Sequence, residues 1–208
     1  MILFAAADAA YFGQYFDLWA GQANKFYPDM PKYVAVHGPT RQVYRQCAEQ
    51  GVECADVTDS LPANPVRKHF YLLRWLNLPY HKNTLILETQ INCLAVKTQV
   101  FAEQKVEHLR IARLKRGVKL GGVSAAVFTP QAARKVVDRA RIMIQAPPEN
   151  DHPMNKWQVR NLTHENIKAE QQFKAKGHSL DDETCWITAG TSVNYTAEEK
   201  LEMLRHYI

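Results

Sequence analysis

Three groups of residues in this 208-residue chain have types and spacing that suit chemistry. The first is Glu88-Thr89-Gln90, a polar break between the apolar run Thr84-Leu85-Ile86-Leu87 and Ile91. A run of that length is short for a buried helix and rich in residues that suit a central strand. Polar side chains directly after such a strand lie at its carboxyl end, where open α/β sheets bind ligands. The triplet is therefore expected to face a pocket, with a plain strand-to-loop exit as the simpler account. The second group is Arg67-Lys68, at the start of an apolar stretch over residues 66–76. Cationic charge at a helix N-terminus opposes the macrodipole, which favours a purpose such as phosphate binding over a merely solvated helix start. The third is Asp181-Asp182-Glu183 beside Trp186. These carboxylates suit a general base next to an aromatic face, or else an acidic helix start.

The elements that must position these groups are read from periodicity. Residues 2–6 read as a buried strand running into the small-residue turn Ala7-Asp8-Ala9-Ala10, and residues 11–21 as a helix with a broad buried face. Residues 32–37 form a second strand ended by Gly38-Pro39. Thr40 suits an N-cap for a helix to about Gln50, with Gly51 as its stop. Residues 52–57 suggest a third strand, 66–76 a helix, and the Thr84 run a fourth strand. This alternation predicts a mainly parallel sheet flanked by helices, in one α/β domain of Rossmann-like type.

The middle of the chain is ambiguous. Residues 100–117 suit a helix, yet residues 108–114 alternate well enough for a strand. Residues 121–128 read as another buried strand, whose paired Gly121-Gly122 mark a tight turn or a close approach to a ligand. Residues 130–144 form an amphipathic helix carrying Arg134, Lys135, Arg139 and Arg141. After Pro147-Pro148 the composition turns polar, with a helix expected over 164–176, a last strand at 186–188, and a final helix opened by Thr196 in a capping-box pattern. Residues 1–148 thus read as the α/β core, and 149–208 as a polar segment forming the acceptor side or a lid of the same domain.

Bulk properties narrow the function classes. The chain is 46% hydrophobic and 23% charged, ordinary for a globular protein. No apolar run approaches the roughly 18–20 residues a membrane span needs. The apolar N-terminus has no basic n-region and is interrupted by Asp8, so a secretory signal is not expected. Cys47, Cys54, Cys93 and Cys185 show no zinc spacing and fit reduced thiols in a cytoplasm. The net charge of +5 and pI near 9.0 suit an anionic partner, whether a small nucleotide diphosphate or a polyanion. The basic residues Arg110, Arg113, Lys115, Arg116 and Lys119, with those of residues 134–141, leave a nucleic-acid acceptor open beside a plain solvated face.

The order FAAADAAY, helix, KYVAVHG resembles the opening of GT-A-fold nucleotide-sugar glycosyltransferases, the retaining group that includes glycogenin and bacterial lipopolysaccharide galactosyltransferases. RKHFYLLRWLNLPYHKNTLILETQINCLAV has the layout of that group's basic helix leading into a strand of the type LYLDxDxLV. KLGGVSAAVFTPQAARKVV is similar to its segment FNAGVLLINLKxW. The resemblance covers roughly residues 1–140 and implies a transfer of sugar from a nucleoside-diphosphate donor to the hydroxyl of a glycan, a small molecule or modified DNA. It implies that Ala6, Asp8 and Tyr11 hold the nucleoside, that Arg67 and Lys68 meet the diphosphate, and that Gly122 lines the sugar site. Asp8 read without it is a turn or N-cap carboxylate, and Tyr11 a core residue. Asp181 and Asp182 are the candidates for an acceptor base.

The family's DxD carries two carboxylates that hold Mn²⁺ or Mg²⁺ against the diphosphate. The matching positions here are Glu88 and Gln90, so the expected metal ligands are one carboxylate and one neutral amide. Three readings follow: an altered metal site, a metal-free enzyme in which Arg67 and Lys68 meet the phosphates, or a nucleotide-sugar-fold binding protein that has lost catalysis.

Overall fold

The computed structural model describes residues 1–99, 110–113, 125–145, 171–174, 185–188 and 196–208. Its centre is β1 (Ile2–Asp8), a strand covered on both faces. Leu3, Ala5 and Ala7 point into one apolar layer, and Ile2 and Phe4 into the other, as the two-residue strand period requires. This two-sided burial is why the segment is apolar without alternation.

Helix α1 (Ala9–Phe26) starts two residues before its expected position and runs five beyond Gly21. The sequence Ala7-Asp8-Ala9-Ala10 is no turn: the strand runs directly into the helix because the Asp8 carboxylate accepts the Tyr11 N–H at 2.8 Å and caps it. The helix buries Phe12, Tyr15, Phe16, Trp19, Ala20 and Ala23 against the sheet.

Strand β2 (Lys32–His37) has its expected bounds. Helix α2 (Arg41–Glu49) follows, with the Val43 N–H donating to the Thr40 hydroxyl at 3.4 Å. Gly51 ends the connection at φ +66°, the left-handed backbone that favours glycine. Strand β3 (Glu53–Asp56) is the sheet edge. The single helix expected over residues 66–76 is two one-turn pieces, α3 (Arg67–Phe70) and α4 (Leu73–Leu76). Between them, Leu72 N–H donates to His69 and Trp75 N–H to Leu72, each a tight three-residue closure.

Strand β4 (Ile86–Thr89) corrects the opening expectation, since Glu88 and Thr89 belong to the buried strand rather than to a loop after it. Glu88 is in register with Phe4 of β1 on one side and Ala126 on the other. Strand β5 (Cys93–Ala95) follows a short turn. Residues 110–113 form strand β6 (Arg110–Arg113), which settles the helix-or-strand ambiguity there. Strand β7 (Ala125–Phe128) and helix α5 (Pro130–Gln145) come next, as expected. Gln171–Lys174 is strand β8, where a helix was expected; its pairing with β6 outweighs the helical preference of the Lys- and Glu-rich stretch. Strand β9 (Trp186–Thr188) and helix α6 (Ala197–Arg205) complete the described elements. The α6 capping box is formed in both directions: Glu199 N–H donates to the Thr196 hydroxyl, and Thr196 N–H to the Glu199 carboxylate.

The main sheet has the order β3-β2-β1-β4-β7, parallel except for the β4–β7 pair. One face is covered by α1 and α2, the other by α4 and α5. A second sheet, β5-β9-β6-β8, joins two strands from the first 148 residues to two from the remainder. Stacking of Tyr27 on Trp186 at 5.4 Å ties that sheet to the end of α1.

Two glycines respond in opposite directions. A Cβ at either Gly13 or Gly51 meets nothing within 4 Å, so backbone conformation alone decides. Gly51→Ala is expected to cost roughly 1–2 kcal/mol for the left-handed backbone. Gly13→Ala, on the exposed side of α1, is expected to add up to about 1 kcal/mol. Urea denaturation of both variants checks the pair of signs.

Candidate functional site

The strand order places the site. From β1 the chain goes to β2 on one side, while β4 lies on the other, so the gap between the carboxyl ends of β1 and β4 is the topological switch point of the sheet. A cavity of about 560 Å³ opens there. Ala6, Ala7 and Asp8 from the end of β1 and Gln90 and Ile91 from the end of β4 form part of its wall. Helix α1 adds Tyr11, the two short helices and the link between them add Arg67, Phe70, Tyr71, Leu73 and Arg74, and α6 adds Lys200. The size suits a nucleotide-sized ligand, and the wall combines aromatic surface with a few charged groups.

Asp8 performs two tasks. Its carboxylate caps α1, and the same side chain lines the cavity. Tyr11 packs at 4.7 Å against Tyr15. Burial pushes its hydroxyl well above the usual tyrosine range, with the neighbouring Tyr15 adding to the shift and a hydrogen bond from Asn92 partly offsetting it. It is a neutral phenol at physiological pH, an aromatic wall with a polar tip.

The triplet on β4 divides its tasks by strand alternation. Thr89 faces α1, where its hydroxyl accepts the Trp19 indole N–H at 2.9 Å in full burial. Glu88 and Gln90 share the opposite face. Glu88 has no exposed surface, and its two oxygens accept from the Nε and a terminal nitrogen of Arg74 in a two-pronged ion pair. The Arg74 guanidinium also lies 4.2 Å from the centroid of the Trp75 ring. Arg74 lines the cavity and Glu88 does not, so the cation borders the cavity and the anion stays in the core. Gln90 lines the cavity, and its Oε1 is buried without a partner among the described residues.

Glu88 and Gln90 are the expected divalent metal ligands, and their surroundings bear on whether a metal fits there. Both carboxylate oxygens are committed to Arg74, and the second donor is a neutral amide. Among the described residues no three His, Cys, Asp or Glu side chains gather as a metal group. Hard divalent ions need several oxygen ligands, and the described residues do not fit that need.

The other expected residues fall as follows. Ala6, Asp8, Tyr11 and Arg67 line the cavity together. Lys68 does not line it, although it follows Arg67 in the same helical turn. Gly122, Asp181 and Asp182 lie outside the described residues. The sequence reading missed Arg74 and Lys200. Arg74 carried a usable signal, a lone cation inside Leu72-Leu73-Arg74-Trp75-Leu76, where every neighbour is apolar. Lys200 carried none, because a lysine on a polar C-terminal helix is ordinary.

The fold and this site position define a mixed α/β protein of the GT-A type. The chain is similar in structure to an active-site mutant of LgtC, at 12% identity and a TM-score of 0.53, over 99% of this chain and 95% of that one. It also aligns with a glycosyltransferase involved in the glycosylation of the major capsid of PBCV-1, at 9% identity and a TM-score of 0.47, over 98% of this chain and 100% of that one. The galactosyltransferase LgtC in complex with donor and acceptor sugar analogs aligns at 11% identity and a TM-score of 0.45, over 98% and 95% of the two chains. No family model and no curated protein matches the sequence. Among the described residues, no helix is long and apolar enough to cross a membrane.

The ion pair sets a stability expectation. Arg74→Ala leaves Glu88 buried without its cation and is expected to cost about 3–5 kcal/mol. Arg74→Met combined with Glu88→Leu removes both charges and is expected to cost far less than the single change. Denaturant unfolding of the wild type and the two variants measures the difference.

Proposed function

We propose that this protein is a glycosyltransferase that moves a sugar from a nucleoside-diphosphate donor to an acceptor hydroxyl. The observation that carries the reading is the composition of the switch-point cavity. It combines a carboxylate and a tyrosine at the start of α1 with cationic side chains from α3, α4 and α6. A nucleoside diphosphate presents hydroxyls and a planar base at one end and negative phosphates at the other, which matches that inventory. The GT-A architecture supports the same chemistry.

In this reading Ala6, Asp8 and Tyr11 receive the nucleoside, with Asp8 accepting a hydrogen bond from ribose or base and Tyr11 offering its ring. Arg67 meets the diphosphate by charge and by its forked donors, with Lys68 beside it. Gln90 offers an unmatched acceptor to a ligand hydroxyl. Gly122 lines the sugar. Residues 149–208 form the acceptor side, a placement supported by the contribution of α6 to the cavity wall through Lys200. Asp181 or Asp182 takes the acceptor proton. The bond from the anomeric carbon to the diphosphate oxygen breaks with its electron pair leaving on the diphosphate. The acceptor oxygen bonds to that carbon as its proton departs.

The acceptor is a glycan or small-molecule hydroxyl. A DNA acceptor draws no support from α5, whose Arg134, Lys135, Arg139 and Arg141 do not line the cavity; Arg141 instead reaches Asp138 on its own helix at 3.5 Å. The four cysteines are unbridged, which supports a reducing compartment such as the cytoplasm.

Calorimetric titration with UDP-sugars, followed by donor hydrolysis and acceptor transfer assays, tests the function. Binding with turnover is the expected result. Binding without hydrolysis or transfer to any acceptor would instead identify a non-catalytic binding protein, and absence of binding to every nucleotide sugar would remove the proposal. Asp8→Asn is expected to keep the helix cap, because asparagine caps as well as aspartate. The same change is expected to weaken nucleotide binding by about tenfold, the loss of one charge-assisted hydrogen bond. Unchanged affinity would reduce Asp8 to its capping task.

A further inference from the structure

The position where the resembled family carries metal-binding carboxylates holds an internal ion pair in this chain. We infer that the Arg74–Glu88 pair takes the place of the divalent cation, so that the cavity binds the diphosphate of a nucleotide without a metal ion. This inference rests on the nucleotide-sugar reading of the same cavity.

Three observations carry it. First, Glu88 has no exposed surface, and both of its oxygens are engaged by one guanidinium. A metal reaching that carboxylate would have to displace two charge-assisted hydrogen bonds from a buried pair. Second, the pair is polarised with respect to the cavity: Arg74 forms part of the wall, whereas Glu88 lies behind it. The ligand therefore meets positive charge, as it would at a bound cation. Third, the guanidinium is held before any ligand arrives. Glu88 fixes one edge, and the Trp75 ring lies 4.2 Å away. A fixed charge needs little reorganisation when negative charge is placed or develops beside it, and a planar fork matches phosphate oxygens. Arg67 and Lys200 add cationic charge from two other elements, against Asp8 as the carboxylate among the described wall residues. Glu88 is in this account a positioning residue, acting only through Arg74.

The test is calorimetric titration of the full chain with UDP, and with GDP in a second series, once in EDTA and once with Mn²⁺. The expected result is one affinity in both buffers. Affinity that rises about tenfold or more with Mn²⁺ overturns the inference and leaves the nucleotide-sugar reading standing. Absence of nucleotide binding in both buffers overturns both.

Two variants sharpen the outcome. Arg74→Ala uncovers the Glu88 carboxylate; it is expected to lose about tenfold or more in affinity in EDTA and to regain part of it with Mn²⁺. Arg74→Met with Glu88→Gln removes both charges, which guards against misfolding of the single variant, and is expected to lose affinity without regaining it in Mn²⁺. A doubly substituted protein that binds as tightly as the wild type overturns the assignment of Arg74. Restoration of full affinity by Arg74→Lys, which keeps the charge but not the fork, would show that point charge suffices and overturn the geometric part of the argument.

Discussion

A carboxylate with no exposed surface is tolerable only if a cation meets it directly, and the Arg74–Glu88 pair is the constraint on which the ligand end of this fold depends. Glu88 is anchored by its ladder to β1 and β7, so its position is set by the sheet. Arg74 comes from a one-turn helix that has little stability of its own. The pair therefore fixes α4 against the end of β4, and with it the wall of the cavity that α3 and α4 supply. On the other face of the same strand, Thr89 performs the matching task for α1 through Trp19. Two adjacent polar residues in one buried strand thus fasten the helical layers of both faces at the point where the cavity opens.

The same arrangement gives the site its electrical sense. Among the described wall residues, cations from α3, α4 and α6 share the cavity with Asp8, while the compensating anion of Arg74 is withdrawn into the core. An anionic ligand gains from that asymmetry, because a preformed positive field in a partly desolvated cleft is stronger than the same charges in water. Beside Asp8 the wall is uncharged: burial keeps Tyr11 protonated, and Gln90 offers an amide.

Much of the fold was legible because it is written locally. Strand β2 lies between a loop and a Gly-Pro turn, α2 has its Thr cap and Gly stop, and α6 has its capping box, each readable from a few neighbouring residues. What was not legible depends on partners far away in sequence. Glu88 reads as a loop residue until Arg74, fourteen positions earlier, is known to meet it, and Thr89 until Trp19 is. Strand β8 reads as a helix because its pairing with β6 crosses about sixty positions. The site followed the same rule. Asp8, Tyr11 and Arg67 sit at strand and helix ends that mark themselves, whereas Arg74 is a cation in an apolar run whose purpose appears only with its partner, and Lys200 arrives from the far end of the chain.

The most direct test is a crystal structure of the protein grown with UDP and Mn²⁺, with anomalous scattering recorded at the manganese edge. The account predicts the diphosphate within hydrogen-bonding distance of Arg74, the Arg74–Glu88 pair intact, and no manganese between Glu88 and the phosphates. A manganese ion ligated by Glu88 and bridging to the diphosphate, with Arg74 turned away, would contradict it.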